Sequence, residues 1–265
     1  MTLRDKTIWI TGASAGIGEA LAIELAARRD VTLVLSARRG EELDRVRALC
    51  ADPWRVFTLP MDVADTDSAE KNAARAAELA GAPIDVMVHN AGIGQRSLVK
   101  HTPLADDRRV MELNYFGVVA LTKALLPSMC ERGRGHFVVV SSVVGYVGTP
   151  YRSAYAGSKH ALHGFFESLR YEVFDEGIAI TMICPGFVRT EIAKKALERA
   201  GNPGAEGHTA TEAGLTPEAC ARTIARAMER EAREAYVGGA EVAGIYLRRY
   251  APGLLAQVLR RVKTT

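Results

Sequence analysis

Thr11-Gly12-Ala13-Ser14-Ala15-Gly16-Ile17-Gly18 follows the apolar run Thr7-Ile8-Trp9-Ile10 and opens a stretch in which Ile17, Leu21 and Leu25 recur every four residues. An apolar run, a glycine cluster and a helical repeat, in that order, predict a strand, a tight turn and a helix. Glycine lets the backbone turn sharply and approach a bound group closely. The helix N-terminus adds unpaired N–H groups and positive potential. Together they suit a pyrophosphate. The spacing is G-x-x-x-G-x-G rather than the G-x-G-x-x-G of many dinucleotide folds, so the turn needs support from elsewhere in the chain.

The alternation continues outward from this turn. Candidate strands cover 7–11, 31–36, 55–60, 84–89, 136–141, 178–184 and 234–237. Their Val, Ile and Leu content with weak alternation predicts burial on both faces, as in a parallel sheet. Helical spacing lies between them, for example Leu162, Phe166 and Leu169. The expected fold is α/β: a Rossmann-like doubly wound parallel sheet of about seven strands with helices on both faces. A single domain is expected over 1–265. Its irregular stretch, rich in glycine from Gly201 to Gly214, follows a strand end where ligands of such sheets bind. It reads as a substrate lid over 190–216.

Composition narrows the function. The 265 residues are 48% apolar and 25% charged, with a net charge of +3, too small and dispersed for a nucleic-acid partner. Cys50, Cys130, Cys184 and Cys220 lie far apart and read as free thiols in a reducing compartment. No metal-ligand spacing occurs, so no metal is expected. The polar start Met1 to Lys6 runs directly into the first strand, so no targeting segment is expected. No run approaches the ~18 apolar residues of a spanning helix. A cytoplasmic location is the resulting expectation.

With a threonine before the glycine turn, the chain resembles the short-chain dehydrogenase/reductase family, and the resemblance extends over nearly its whole length. Asp62-Val63 is similar to the family's adenine-contacting segment. His89-Asn90-Ala91-Gly92 resembles its N-N-A-G turn, with His89 a departure at the first position. Asn114, Ser142, Tyr155 and Lys159 fall where the family keeps its catalytic four. Pro185-Gly186, with Thr190 after it, matches the stretch that approaches the nicotinamide. The resemblance implies that Gly12, Ser14, Gly16, Ile17, Gly18, Asp62, Val63, Asn90, Ala91, Gly92, Pro185, Gly186 and Thr190 contact a nicotinamide dinucleotide, together with Tyr155 and Lys159. It also implies a homodimer or homotetramer paired through the helices containing Asn114 and Tyr155.

The second strand ends Leu35-Ser36-Ala37-Arg38-Arg39. An acid at its end would hold the ribose hydroxyls of NAD and repel a 2′-phosphate. Here Ala37 stands in that place and two guanidinium groups follow. Arginine's planar fork donates paired hydrogen bonds to phosphate, and Ser14 adds a hydroxyl. The expected cofactor is NADP(H), through Arg38 more than Arg39.

Tyr155 and Lys159 are four apart, hence on one face of a helix that begins near Arg152. Proton exchange with a carbonyl or alcohol needs a group more acidic than a free phenol, which titrates near pH 10. A neighbouring ammonium favours the phenolate, which is the task expected of Lys159. In the family Lys159 would also bind the nicotinamide ribose. Ser142 closes the strand before this helix and is expected to hydrogen-bond the substrate oxygen, whereas alternation sends Ser141 to the other face. Asn114 reads either as the family's holder of a relay water or as a core amide bonded to nearby backbone. Tyr151 is a candidate pocket-lining residue, and His160 and His163 read as structural.

After Tyr236-Val237-Gly238-Gly239 a basic amphipathic extension covers 241–265. Leu254, Leu255, Val258, Leu259 and Val262 form a stripe among Arg248, Arg249, Arg260, Arg261 and Lys263. Such a segment either lies on an anionic membrane or packs on its own domain or a sister subunit. The helix around Tyr155 is also similar to those of reductases acting on steroid and retinoid carbonyls. The leading reading is an NADP(H)-dependent carbonyl reductase or alcohol dehydrogenase acting on a small molecule. The alternatives are an NAD-dependent alcohol dehydrogenase, an epimerase or dehydratase of nucleotide sugars, and a non-catalytic NADP(H) sensor.

Overall fold

A computed structural model describes residues 2–28, 30–190, 197–198 and 214–261. Seven strands form one parallel sheet: β1 (Thr7–Thr11), β2 (Thr32–Ala37), β3 (Val56–Pro60), β4 (Val86–His89), β5 (Gly135–Val140), β6 (Ile178–Pro185) and β7 (Glu234–Val237). Their order is 3-2-1-4-5-6-7. Every strand lies within two residues of its expected bounds. The intervening helices are α1 (Gly16–Ala26), α2 (Gly40–Leu49), α3 (Ala69–Ala80), α4 (Leu104–Met111), α5 (Gly117–Glu131), α6 (Ser153–Glu172) and α7 (Pro217–Glu229).

Strand alternation divides the core in two. Ile8, Ile10, Leu33, Leu35, Val86 and Val88 face one layer, with Leu21 and Leu25 of α1 and Ile224 and Met228 of α7. Trp9, Val34, Met87, Phe137 and Val139 face the other, against Leu121 and Leu125 of α5 and Leu162 and Phe166 of α6. A sheet buried on both faces needs apolar residues at successive positions, which is why these strands show little alternation in sequence. The Trp9 indole N–H is satisfied across the sheet by Ser36 Oγ at 2.8 Å.

The strand order reverses between β1 and β4, and ligands of open α/β sheets bind in the crevice at such a point, beyond the carboxyl ends. The glycine turn follows β1 and Asn90-Ala91-Gly92 follows β4, so both flank that crevice.

Leu104–Glu131 is a continuous helical run, long and apolar enough by composition to span a membrane, with a mean hydropathy of 1.2 in its most apolar window. That corrects the expectation that no run comes near this length. Its Val118, Leu121, Leu125 and Met129 are buried in the second core layer, as in a core helix. The run is interrupted by one turn of π-helix, Glu112–Phe116, which carries Asn114.

The extension folds as α8 (Ala243–Tyr250) and α9 (Pro252–Arg261). Its expected stripe is divided. Leu255 is buried, whereas Leu254 and Val258 face solvent with Tyr246 and Tyr250. Val262 and Lys263 lie outside the described residues. So does the lid expected over 190–216, apart from Thr190, 197–198 and 214–216. The four cysteines are free, and three of them are buried.

Candidate active site

One cleft of about 430 Å³ opens beyond the carboxyl ends of the strands. Gly12, Ser14, Gly16, Ile17, Arg38 and Arg39 line it with Thr190, whose Cγ2 would lie 3.1 Å from a Cβ on Gly16, and Ser142, Tyr155, Lys159, Pro185 and Gly186 line it as well. Asp62, Val63, Asn90, Ala91 and Gly92 lie on its wall. Gly18 and Asn114 do not line the cleft directly, although both support residues that do.

The glycine turn is built for close approach. Gly12 and Gly16 have φ of +66° and +59°, in the left-handed region that favours glycine. A Cβ on Gly18 would stand 2.3 Å from the Gly12 carbonyl oxygen and 2.5 Å from Asn90 Nδ2. Asn90 ties the turn to β4: its amide donates to the carbonyls of Thr11 and Gly12 at 3.0 and 3.1 Å. The Thr11 hydroxyl accepts from the N–H groups of Asn90 and Ala91, each at 3.2 Å, and donates to Val88 O. Asn90 is thus a scaffold residue as well as a wall residue. His89, the departure from the family pattern, points the other way. It stacks near Phe137, pairs with Thr122 Oγ1 at 2.9 Å, and is driven by burial down to about 3, so it is neutral.

Arg38 and Arg39 are exposed at the mouth beside Ser14, and neither forms an ion pair with a described residue. Open guanidinium groups beside an uncluttered helix N-terminus fit the phosphates of a dinucleotide, as do glycines that leave no room for a Cβ. At the far end Gly92 passes 3.8 Å from Lys159 Nζ, measured from where a Cβ would stand.

Tyr155 and Lys159 share a face of α6, as their spacing requires. Lys159 is buried, and its Nζ donates to Val140 O at 2.7 Å and lies 5.7 Å from the Tyr155 ring centroid. Burial lowers the ammonium to about 8, with Cys184 opposing the shift weakly. Burial also pushes the Tyr155 phenol above its ordinary value, while the Arg152 guanidinium and the Ser142 hydroxyl pull it back. Arg152 is thus a second cation beside the phenol, in addition to Lys159. Their spacing, Arg152 three residues before Tyr155, was legible, but it reads equally as a solvated residue before a helix.

Ser142 Oγ donates to Pro185 O at 3.2 Å and accepts from Val144 N at 3.3 Å, which fixes the hydroxyl between β5 and β6. Ser141 does face elsewhere, pairing with His163 Nε2 at 2.9 Å. His163 packs at a tilt against Tyr146, with ring centroids 4.3 Å apart, and burial holds it near 4, neutral. The Asn114 side chain is engaged at both ends: Oδ1 accepts from Ile93 N at 2.9 Å, and Nδ2 donates to Ile93 O and Ser158 Oγ, each at 3.0 Å. It clasps the segment after Gly92 to α6. Tyr151 is not among the residues that line the cleft.

Glu241 was missed altogether. Its Oε1 accepts from Phe187 N at 3.0 Å and Gly239 N at 3.1 Å, so the start of the C-terminal extension braces the Pro185-Gly186-Phe187 wall.

Sheet order, crevice and glycine turn are together those of a Rossmann-type α/β protein. The chain belongs to the short chain dehydrogenase family, an oxidoreductase family whose pattern matches residues 6–201. It is 40% identical over 246 residues to human dehydrogenase/reductase SDR family member 7, covering 89% of this chain and 70% of the human one. A short chain dehydrogenase/reductase from Burkholderia phymatum, solved in complex with NAD, has a TM-score of 0.86 at 25% identity over 96% of each chain. An alcohol dehydrogenase from the archaeon Thermococcus sibiricus, complexed with 5-hydroxy-NADP, has a TM-score of 0.75 at 27% identity, covering 89% of this chain and 97% of that one.

Proposed function

We propose that the protein is an NADP(H)-dependent oxidoreductase that interconverts a carbonyl compound and its alcohol, with Tyr155 as general acid and base. The observation that carries this is the single cleft with a phosphate-suited glycine turn and two open arginines at one end and Tyr155, Ser142 and Lys159 at the other. The bound nicotinamide supplies or accepts the hydride. Gly12, Gly16 and Gly18 admit the pyrophosphate, Arg38 and Ser14 hold a 2′-phosphate, and Asp62 and Val63 border the adenine. Pro185 and Gly186 wall the nicotinamide end, and Thr190, which packs on Gly16, reaches from there towards the pyrophosphate.

On the substrate side, the Tyr155 phenol hydrogen-bonds the reacting oxygen and gives up its proton as the carbonyl becomes an alcohol. The Ser142 hydroxyl turns from Pro185 O to the same oxygen and polarises it. Lys159, brought down to about 8 by burial, refills the phenol and holds the nicotinamide ribose. Because the Asn114 amide is occupied, a relay water beyond Lys159 would rest on a backbone carbonyl of the π turn, where the regular helical bonding is broken.

The same reading includes pairing of copies through the π turn with α5, and α6, where Phe116 and Tyr171 respectively are exposed. α8 and α9 pack on the parent domain through Ile245 and Leu255 and leave Tyr246, Tyr250 and Leu254 to a lipid surface or a sister subunit. Lipid sedimentation that survives truncation after Gly253 removes the membrane role from α9. The main test is absorbance at 340 nm with NADPH and with NADH over a panel of ketones, aldehydes and alcohols. Turnover favouring NADPH is expected. Tight NADPH binding with no turnover anywhere favours the sensor reading, and a preference for NADH refutes the role of Arg38.

A further inference from the structure

The entry to α6 is held under strain. Tyr151 has φ of +65°, a conformation costly for a residue with a bulky side chain. Its carbonyl accepts from Ser97 N at 3.0 Å, and Ala154 N donates to Gln95 Oε1 at 3.3 Å. Gln95 is itself buried and anchored by its amide on Ser97 and Thr102. The segment 95–97 thus clamps the chain on both sides of Arg152 and sets that residue on the cleft wall beside Tyr155.

Arg152 is half-buried. Burial lowers its guanidinium, Tyr155 opposes that shift, and the charge on Arg96 lowers it further, so two cations are held within electrostatic reach of each other. Arg109, on α4, lines the same cleft. Among the described residues no carboxylate forms an ion pair with Arg152 or Arg109. Holding a desolvated cation without a counter-ion is costly, and a strained turn that enforces it marks a site rather than a packing solution. Tyr155 and Arg152 lie within electrostatic reach of each other and line the same cleft. A compound whose oxygen meets that phenol therefore brings its adjoining atoms against the guanidinium.

We propose that Arg152, seconded by Arg109, is an oxyanion-recognition subsite, and that the substrate is a carbonyl compound or alcohol with a carboxylate or phosphate a few bonds from the reacting carbon. This rests on the oxidoreductase reading above and names its substrate class. A planar guanidinium takes either oxyanion through paired hydrogen bonds, which fixes the carbonyl in register with Tyr155.

The test pairs each anion with a neutral counterpart: phenylglyoxylate with its methyl ester, and hydroxyacetone phosphate with hydroxyacetone. kcat/KM is measured for wild type, R152M, R152K and R109M, alongside calorimetric binding of the two anions to protein saturated with NADP+. Wild type is expected to favour at least one anion over its neutral partner by on the order of 10- to 100-fold. R152M abolishes that ratio, R152K restores part of it, and R109M reduces it by less. A preference confined to one pair assigns the group as carboxylate or phosphate.

Equal use of anionic and neutral partners, or an unchanged ratio in R152M, overturns the proposal. Arg152-dependent anion binding without turnover sustains the subsite and sinks the oxidoreductase reading. Turnover of the neutral compounds without anion binding does the reverse. Should R152M fail to fold, R152K and the exposed R109M decide by the same ratio.

Discussion

Replacing Lys159 with methionine is expected to change the pH dependence of stability in a calculable way. Burial brings the ammonium from 10.5 to about 8. At 1.36 kcal/mol per pH unit, the buried charge destabilises the fold by about 3 kcal/mol at neutral pH. Between pH 8 and 10.5 the unfolded lysine keeps its proton while the folded one has released it. The unfolded state then binds more protons, so stability rises with pH through that window and the full penalty applies below it. K159M removes the penalty but leaves Val140 O without its donor, which costs about 1–3 kcal/mol. Urea unfolding of cofactor-free protein, followed by far-UV circular dichroism at pH 7 and 9.5, measures both effects. Wild type should gain about 2 kcal/mol more than K159M between the two pH values. At pH 7 the variant should lie between equal stability and about 2 kcal/mol above wild type, while losing activity. A variant clearly less stable at pH 7, or one with the same pH response as wild type, refutes the reasoning.

Other substitutions probe the remaining parts of the site. G18A drives a methyl group into the Gly12 carbonyl and the Asn90 amide. It should raise the NADPH dissociation constant at least ~10-fold by fluorescence titration and destabilise the fold by about 1–3 kcal/mol. R38A should weaken NADPH by at least ~10-fold while leaving NADH binding unchanged, the difference expected from one charge-assisted phosphate contact. E241A leaves the N–H groups of Phe187 and Gly239 without their acceptor. It should cost about 1–3 kcal/mol in denaturant unfolding, with a raised KM, and E241Q should recover part of both.

The sheet was legible because β1, β2, β4, β5 and β6 are buried on both faces, so each shows as a continuous apolar run between turn residues. The glycine turn was legible for a related reason: Gly12 and Gly18 stand where a Cβ cannot fit. What escaped depends on three-dimensional neighbours. Arg152 looks like any charge before a helix until the 95–97 clamp and the strained Tyr151 place it beside the phenol. Glu241 sits more than fifty positions from the Phe187 amide it braces, and no periodicity links them. The π turn at Glu112–Phe116 leaves no mark on an apolar helical pattern. How the C-terminal stripe is covered was not legible, because amphipathic spacing indicates which residues cluster, not which of them the domain covers.

The proton transfer assigned to Tyr155 is tested most directly by following deuterium from NADPH labelled at C4 of the nicotinamide into a carbonyl substrate, with wild type and Y155F compared by mass spectrometry of the alcohol. Wild type should deliver the label. Y155F, with an NADPH dissociation constant within about twofold of wild type, should deliver it about 10²- to 10⁴-fold more slowly. Label transfer at the wild-type rate in Y155F would contradict the account.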